Sequence, residues 1–287
     1  MARIALQTPL KNKSPTNVHK DEGTERQRAG AIASLSLSFS LALCLVILTA
    51  CTAATQPIVK IGLVAPFEGR YRAIGYEAIY AARLAIREIN AQGGVNGRRV
   101  ELVALDDRGE PAQAIEAARQ LALDPQVVAV IGHLRPDTTV AAQTVYCAAG
   151  LPNLAVEIAA APCTGSFALG AAPRDRWPDD RRVFISNVPD PNNLTAAQAF
   201  VAKYNAIPID GTRAGPIALQ TYDAIALIFE ALHRAPNADR VGVKAALAHN
   251  QFSGLGADYA FDSQGNLIEP HTYVFDYSQD RQPRLLP

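Results

Sequence analysis

The sequence predicts an α/β fold, a parallel sheet with flanking helices. Three observations carry it. After residue 57, apolar runs of strand length alternate with stretches whose apolar residues recur at helical spacing. The runs stop at Pro66, at Asp106-Asp107 and at Gly132, so each ends in a loop that leads to a helix. Of 287 residues, 49% are apolar and 19% charged, the composition of an ordinary globular chain.

Each element has its own signal. IVKIGLVAP, residues 58–66, alternates and then runs apolar, as a first strand. In EAIYAARLAIREIN, residues 77–90, Ala78, Ala82, Ala85, Ile86 and Ile89 share one helical face, and Gly93-Gly94 closes it. Val95-Asn96-Gly97 turns the chain into RVELVALDD, residues 99–107, the second strand. Pro111 suits the first turn of a helix reaching about Leu123, with Ile115, Ala118 and Leu121 inward. VVAVIG, residues 127–132, is the third strand. Asp137 and Thr138 are candidate N-caps for a helix through Ala149, and LPNLAV, residues 151–156, is the fourth strand. From Ala160 to Val183 no element is legible. Beyond it the pattern predicts a strand over 183–186, helices at about Leu194–Tyr204, Ile217–Leu232 and Val241–His249, a hairpin within 252–266 and a last strand over 272–275.

Alternating strands and helices build a parallel sheet, and ligands of such sheets bind beyond the carboxyl ends of the strands. The rim loops are therefore Pro66–Ile74, Asp106–Glu110, Gly132–Asp137 and Val156–Ala161. The formal charge balances, 27 basic against 27 acidic residues, and gives no support to nucleic-acid binding. No G-x-S-x-G, G-x-x-x-x-G-K-[ST], early G-x-G-x-x-G or H-E-x-x-H motif is present, so an enzyme is not expected. No Cys or His cluster suggests a metal, and no cofactor is called for.

The first fifty residues read as a leader. A basic polar segment is followed by AGAIASLSLSFSLALCLVILTA, an uncharged run that ends before Cys51. Leu48-Thr49-Ala50-Cys51 resembles the bacterial lipobox, which implies cleavage before Cys51 and anchorage to a lipid bilayer through its sulfur. An N-terminal transmembrane anchor is the alternative. In an extracytoplasmic compartment a Cys147–Cys163 disulfide and two buried thiols both stand.

The stretch from VKIGLVAP to VELVALDD, with its INAQGGVNG, resembles the start of the branched-chain amino acid binding proteins, type I periplasmic solute-binding proteins of ABC importers. VVAVIGHL and YCAAGLPNLA continue the likeness, and FVAKYNA, TYDAIALIFEAL and FSGLGADYAFDSQGNL renew it. The resemblance implies two α/β lobes closing by a hinge on an amino acid or amide, and a membrane permease as partner. It also implies a division: 1–50 leader, 51–57 lipidated tether, 58–160 first-lobe core, 161–193 a shortened crossover, 194–250 helices returning to the first lobe, 251–287 strands of a reduced second lobe. By that likeness the first lobe is expected to be complete. The family's large block between about Phe167 and Arg181 is missing, so the second lobe is truncated.

The family's rim hydroxyls, which take a ligand carboxylate, are replaced here by Arg135, Pro136 and Asp137, followed by Thr138 and Thr139. A helix N-terminus at this turn favours an anion. Asp137 either caps that helix or faces the ligand, and Arg135 either adds positive charge or points to solvent. Glu157 pairs with a ligand ammonium or with Arg135. His133 is a packed histidine or a rim ligand, and Tyr71 is a wall for an apolar ligand body or an ordinary exposed tyrosine. Asp106 and Asp107 point to opposite faces and share no site, and Tyr222-Asp223 is structural. Two functions follow: the extracytoplasmic substrate-binding component of an importer, or a reduced, non-transporting paralogue that serves as an interaction or sensor module or is a degenerate gene product.

Overall fold

The computed structural model describes residues 56–155, 165–169, 183–208, 213–235, 237–276 and 284–286. Its first half alternates β1 (Ile58–Ala65), α1 (Arg72–Ala91), β2 (Arg99–Asp106), α2 (Pro111–Leu123), β3 (Val127–Ile131), α3 (Pro136–Ala148) and β4 (Asn153–Ala155). A short β5 (Ser166–Ala168) follows. These strands form one sheet of order β2-β1-β3-β4-β5, every pair parallel. The chain thus steps from β1 outward to β2, then back across β1 to β3. The loops after β1 and β3 leave in opposite directions, which opens a crevice at the carboxyl edge between them.

The period of two along β1 sends Ile61, Leu63 and Ala65 to one face and Val64 to the other. The first face is covered by α1, α5 (Pro216–Arg234) and α6 (Arg240–His249), the second by α2 and α3. Gly62 belongs to the second face. A Cβ there would meet Leu121 Cδ1 at 2.9 Å, so glycine is what lets α2 seat against β1. The alanine-rich stripe of α1 packs against α5. Buried Glu77 of α1 ties them further, its carboxylate accepting Ala218 N–H at 2.9 Å in the first turn of α5, where a helix welcomes negative charge.

Arg240, opening α6, gathers the far edge. Its guanidinium donates to Val127 O (2.9 Å), Ala122 O (3.1 Å), Asp124 O (2.7 Å) and Ala149 O (3.3 Å). The C-terminal ends of α2 and α3 and the start of β3 are satisfied by one side chain, in place of separate caps.

The C-terminal part adds α4 (Gln198–Asn205), preceded by two 3₁₀ turns, the hairpin β7 (Phe252–Ser253) with β8 (Asp258–Tyr259), and an antiparallel sheet of order β10-β9-β6. In that sheet β6 is Val183–Ser186, β9 Tyr273–Asp276 and β10 Arg284–Leu285. The α/β expectation holds and strand bounds agree within a few residues. Four elements differ: α4 starts at Gln198 because two 3₁₀ turns precede it, and β10 follows the strand expected to be last, formed by pairing with β9. α1 starts at Arg72, because the 3₁₀ turn Gly69–Tyr71 feeds it directly. β5 stands where no element was legible. Three residues are too few for a period, and pairing with β4 is what makes them a strand. Among the described residues no helix is long and apolar enough to cross a membrane. Residues 1–55, which carry the leader and Cys51, lie outside the described residues.

Candidate functional site

Three of the four expected rim loops are described, and side chains lock them together. Asp106 Oδ1 accepts Phe67 N–H at 2.7 Å and Arg108 N–H at 2.9 Å, joining the loop after β1 to the loop after β2. Asp107 turns the other way, into the core. Its Oδ1 accepts Gly109 N–H at 2.9 Å, and its Oδ2 lies 2.6 Å from His133 Nδ1. His133 Nε2 is 3.1 Å from the Tyr146 hydroxyl on α3. Burial pushes the Tyr146 phenol well above its usual range, so it keeps its proton within hydrogen-bond distance of His133. Asp107, His133 and Tyr146 are all essentially inaccessible. They fix the second loop against the third from behind.

In front of that network is a cavity of about 660 Å³, lined by residues 68–71, residues 108–110, Arg135 and Asp137. It occupies the crevice at the β1/β3 switch point. The Arg135 guanidinium carbon stands 4.0 Å from the centre of the Tyr71 ring, and that of Arg70 stands 5.1 Å from it. Arg135 pairs with Asp137 at 3.0 Å, and Arg108 with Glu68 at 3.1 Å. Arg135 Nε is buried and has no hydrogen-bond partner among the described residues. Gly109, at φ +70°, lies against the Tyr71 ring: a Cβ there would come within 2.6 Å of Tyr71 Cδ2 and 3.2 Å of Arg135 Cδ. Glycine is required twice over, by backbone and by space.

The first turn of α3 differs from expectation. Arg135, not Asp137 or Thr138, is the N-cap residue, and its side chain makes no cap bond. Pro136 has no N–H to offer. Thr138 N–H goes to Asp137 Oδ1 at 3.0 Å, and Thr139 N–H to Arg135 O at 2.9 Å. The Thr138 and Thr139 hydroxyls also turn back to Arg135 O, at 3.1 and 2.7 Å. This helix end is largely occupied by its own chain, so its positive charge toward a ligand comes from the Arg135 side chain rather than from free amides.

Of the residues singled out from sequence, Tyr71, Arg135 and Asp137 line the cavity. His133 and Thr138 are buried at 0% exposure and line none of it, because the strand-end turn points them into the sheet-helix layer. Glu157 and Cys163 lie outside the described residues; Cys147 is disulfide-bonded. Glu68, Arg70, Arg108, Gly109 and Glu110 were not singled out, although their loops were. The switch-point position was the signal that could have found them.

The profile of the family described as Periplasmic binding protein matches residues 58–179. This segment is similar to the periplasmic binding proteins. The match spans all three lining loops of the cavity. An amino acid binding protein of Pseudomonas aeruginosa is 38% identical over 93 residues, 32% of this chain and 25% of that protein. Leu/Ile/Val-binding protein homolog 7 of Brucella melitensis is 36% identical over 112 residues, 39% of this chain and 28% of that protein. The chain spans about a quarter of the length of the curated relatives it matches. Among solved structures, the branched-chain amino acid substrate-binding protein LivJ of Streptococcus pneumoniae, in complex with isoleucine, superposes at TM-score 0.65 with 17% identity, over 80% of this chain and 99% of that one. A solute-binding protein of an ABC transporter from Rhodopseudomonas palustris, in complex with benzoate, gives 0.62 with 14% identity, over 80% and 95%. At such identities these structures establish the type I periplasmic binding protein fold. The matched family is described as one of periplasmic binding proteins, and the LivJ structure holds isoleucine.

Proposed function

We propose that the chain is the extracytoplasmic substrate-binding component of an ABC importer. It takes an amino acid, amide or small carboxylate into a cleft whose first wall is the Tyr71–Arg135 cavity, and presents it to a membrane permease. In this reading residues 58–160 with the helices of 194–250 form the first lobe, and 161–193 and 251–287 supply the crossover and a reduced second lobe. Lipid on Cys51 holds the protein at the membrane, and Glu157 extends the rim. The observation that carries the reading is the convergence of Tyr71, Gly109 and Arg135, from three different loops, on one cavity at the β1/β3 switch point.

A thermal-shift titration of the chain without its leader tests it. A solute that binds only the folded state raises the unfolding midpoint, by the equivalent of ~2.7 kcal/mol at a hundredfold excess over Kd. A panel of amino acids, amides and small carboxylates that gives no shift rules the reading out. It would favour instead the non-transporting paralogue, to which the short three-stranded sheet β10-β9-β6 lends support.

A further inference from the structure

We infer that the cavity selects a hydrophilic zwitterion, an amino acid whose side chain is itself an amide or a carboxylate, over an aliphatic amino acid. This rests on the solute-binding reading of the same cavity. The wall among the described residues holds three guanidinium groups, three carboxylates, one phenol and two glycines, and no aliphatic side chain. The phenol ring, the one apolar surface, is already engaged by Arg135 at 4.0 Å and Arg70 at 5.1 Å. An aliphatic side chain gains affinity by meeting apolar surface. Here it would strip water from charges and return nothing to them.

The charges are arranged in complementary fashion. Arg135 is paired with Asp137 and Arg108 with Glu68. Arg70 and Glu110 form no ion pair with a described residue, so the wall keeps one charge of each sign in reserve. A zwitterion answers both reserved charges: its carboxylate meets a guanidinium, its ammonium meets Glu110 or Asp137, and a polar side chain takes over the hydrogen bonds that water would otherwise make. A simple carboxylate would leave the acidic side unanswered, and an amine the basic side.

Calorimetric titration of the chain without its leader, with glutamine, asparagine, glutamate and aspartate against leucine, isoleucine and valine, tests this. At least one polar amino acid should bind about tenfold or more tighter than leucine. Its affinity should fall about tenfold in Arg70→Gln and in Glu110→Gln, and should weaken as salt rises from about 50 mM to about 500 mM. Both positions are exposed, so unfolding midpoints of the variants should match the parent. Leucine bound as tightly as every polar amino acid overturns the inference and leaves the solute-binding reading standing. Polar binding indifferent to both substitutions also overturns it. Absence of binding across the whole panel overturns both.

Discussion

Gly109 shows how much of the site is decided by single atoms. Its positive φ and the 2.6 Å approach a Cβ would make to the Tyr71 ring leave no room for any side chain. Gly109→Ala should therefore push Tyr71 and Arg135 apart, costing about 1–3 kcal/mol of stability by strain and abolishing the solute-induced thermal shift. Both are read in one melting series with and without solute. Arg135→Gln should act differently. The backbone carbonyl that holds Thr138 and Thr139 is kept while the guanidinium over Tyr71 is lost, so solute affinity should fall about tenfold or more with little change in the unliganded midpoint. Tyr71 and Arg135 could be read from sequence because loop order alone puts them at the switch point. His133 and Thr138 could not be assigned in that way. Whether a residue just past a strand turns toward the rim or the core depends on the turn's dihedrals and on partners such as Asp107 and Tyr146, which come from elsewhere in the chain.

At the scale of elements, long amphipathic pieces were legible and short ones were not. α1 and α5 carry apolar faces over five turns or more, so no tertiary information is needed to see them. β5 and the 3₁₀ turns before α4 exist through contacts with partners: β5 pairs with β4, and Asp190 accepts Asn192 N–H at 2.9 Å. The hairpin β7–β8 is held by Asp223 of α5, which accepts from Leu255 N, Gly256 N and the Tyr259 hydroxyl. Burial raises the Asp223 carboxyl to about 6, from an ordinary 3.8, despite those donors. A raised carboxyl contributes stability that is complete below its unfolded value and is lost as pH rises through the folded one. The gap corresponds to ~3 kcal/mol, distributed between about pH 4 and pH 6. Acidification from pH 7 to about pH 5 should thus stabilise the chain, above the range where the lowered carboxyls Glu88 and Asp124 begin to oppose it. Urea midpoints measured over that range should rise for the parent and stay flat for Asp223→Asn; equal slopes would contradict the assignment. Arg240→Ala, which leaves partly buried carbonyls at the ends of α2 and α3 without this donor, should cost ~2 kcal/mol, measurable by urea unfolding.

For the whole molecule, one sheet topology explains where the site is. The order β2-β1-β3-β4-β5 forces a crevice between the loops after β1 and β3; the rear network Asp107–His133–Tyr146 holds the loop after β2 against the loop after β3, and Asp106 ties the loop after β1 to the loop after β2. The wall so built, among the described residues, is charged and carries no aliphatic side chain. Hydrogen–deuterium exchange of the chain, with and without the solute that gives the largest thermal shift, tests this most directly. Binding should slow exchange in residues 68–71, 108–110 and 132–137 together. A solute that binds and leaves those three loops unprotected, while protecting another surface, would contradict the assignment of the site.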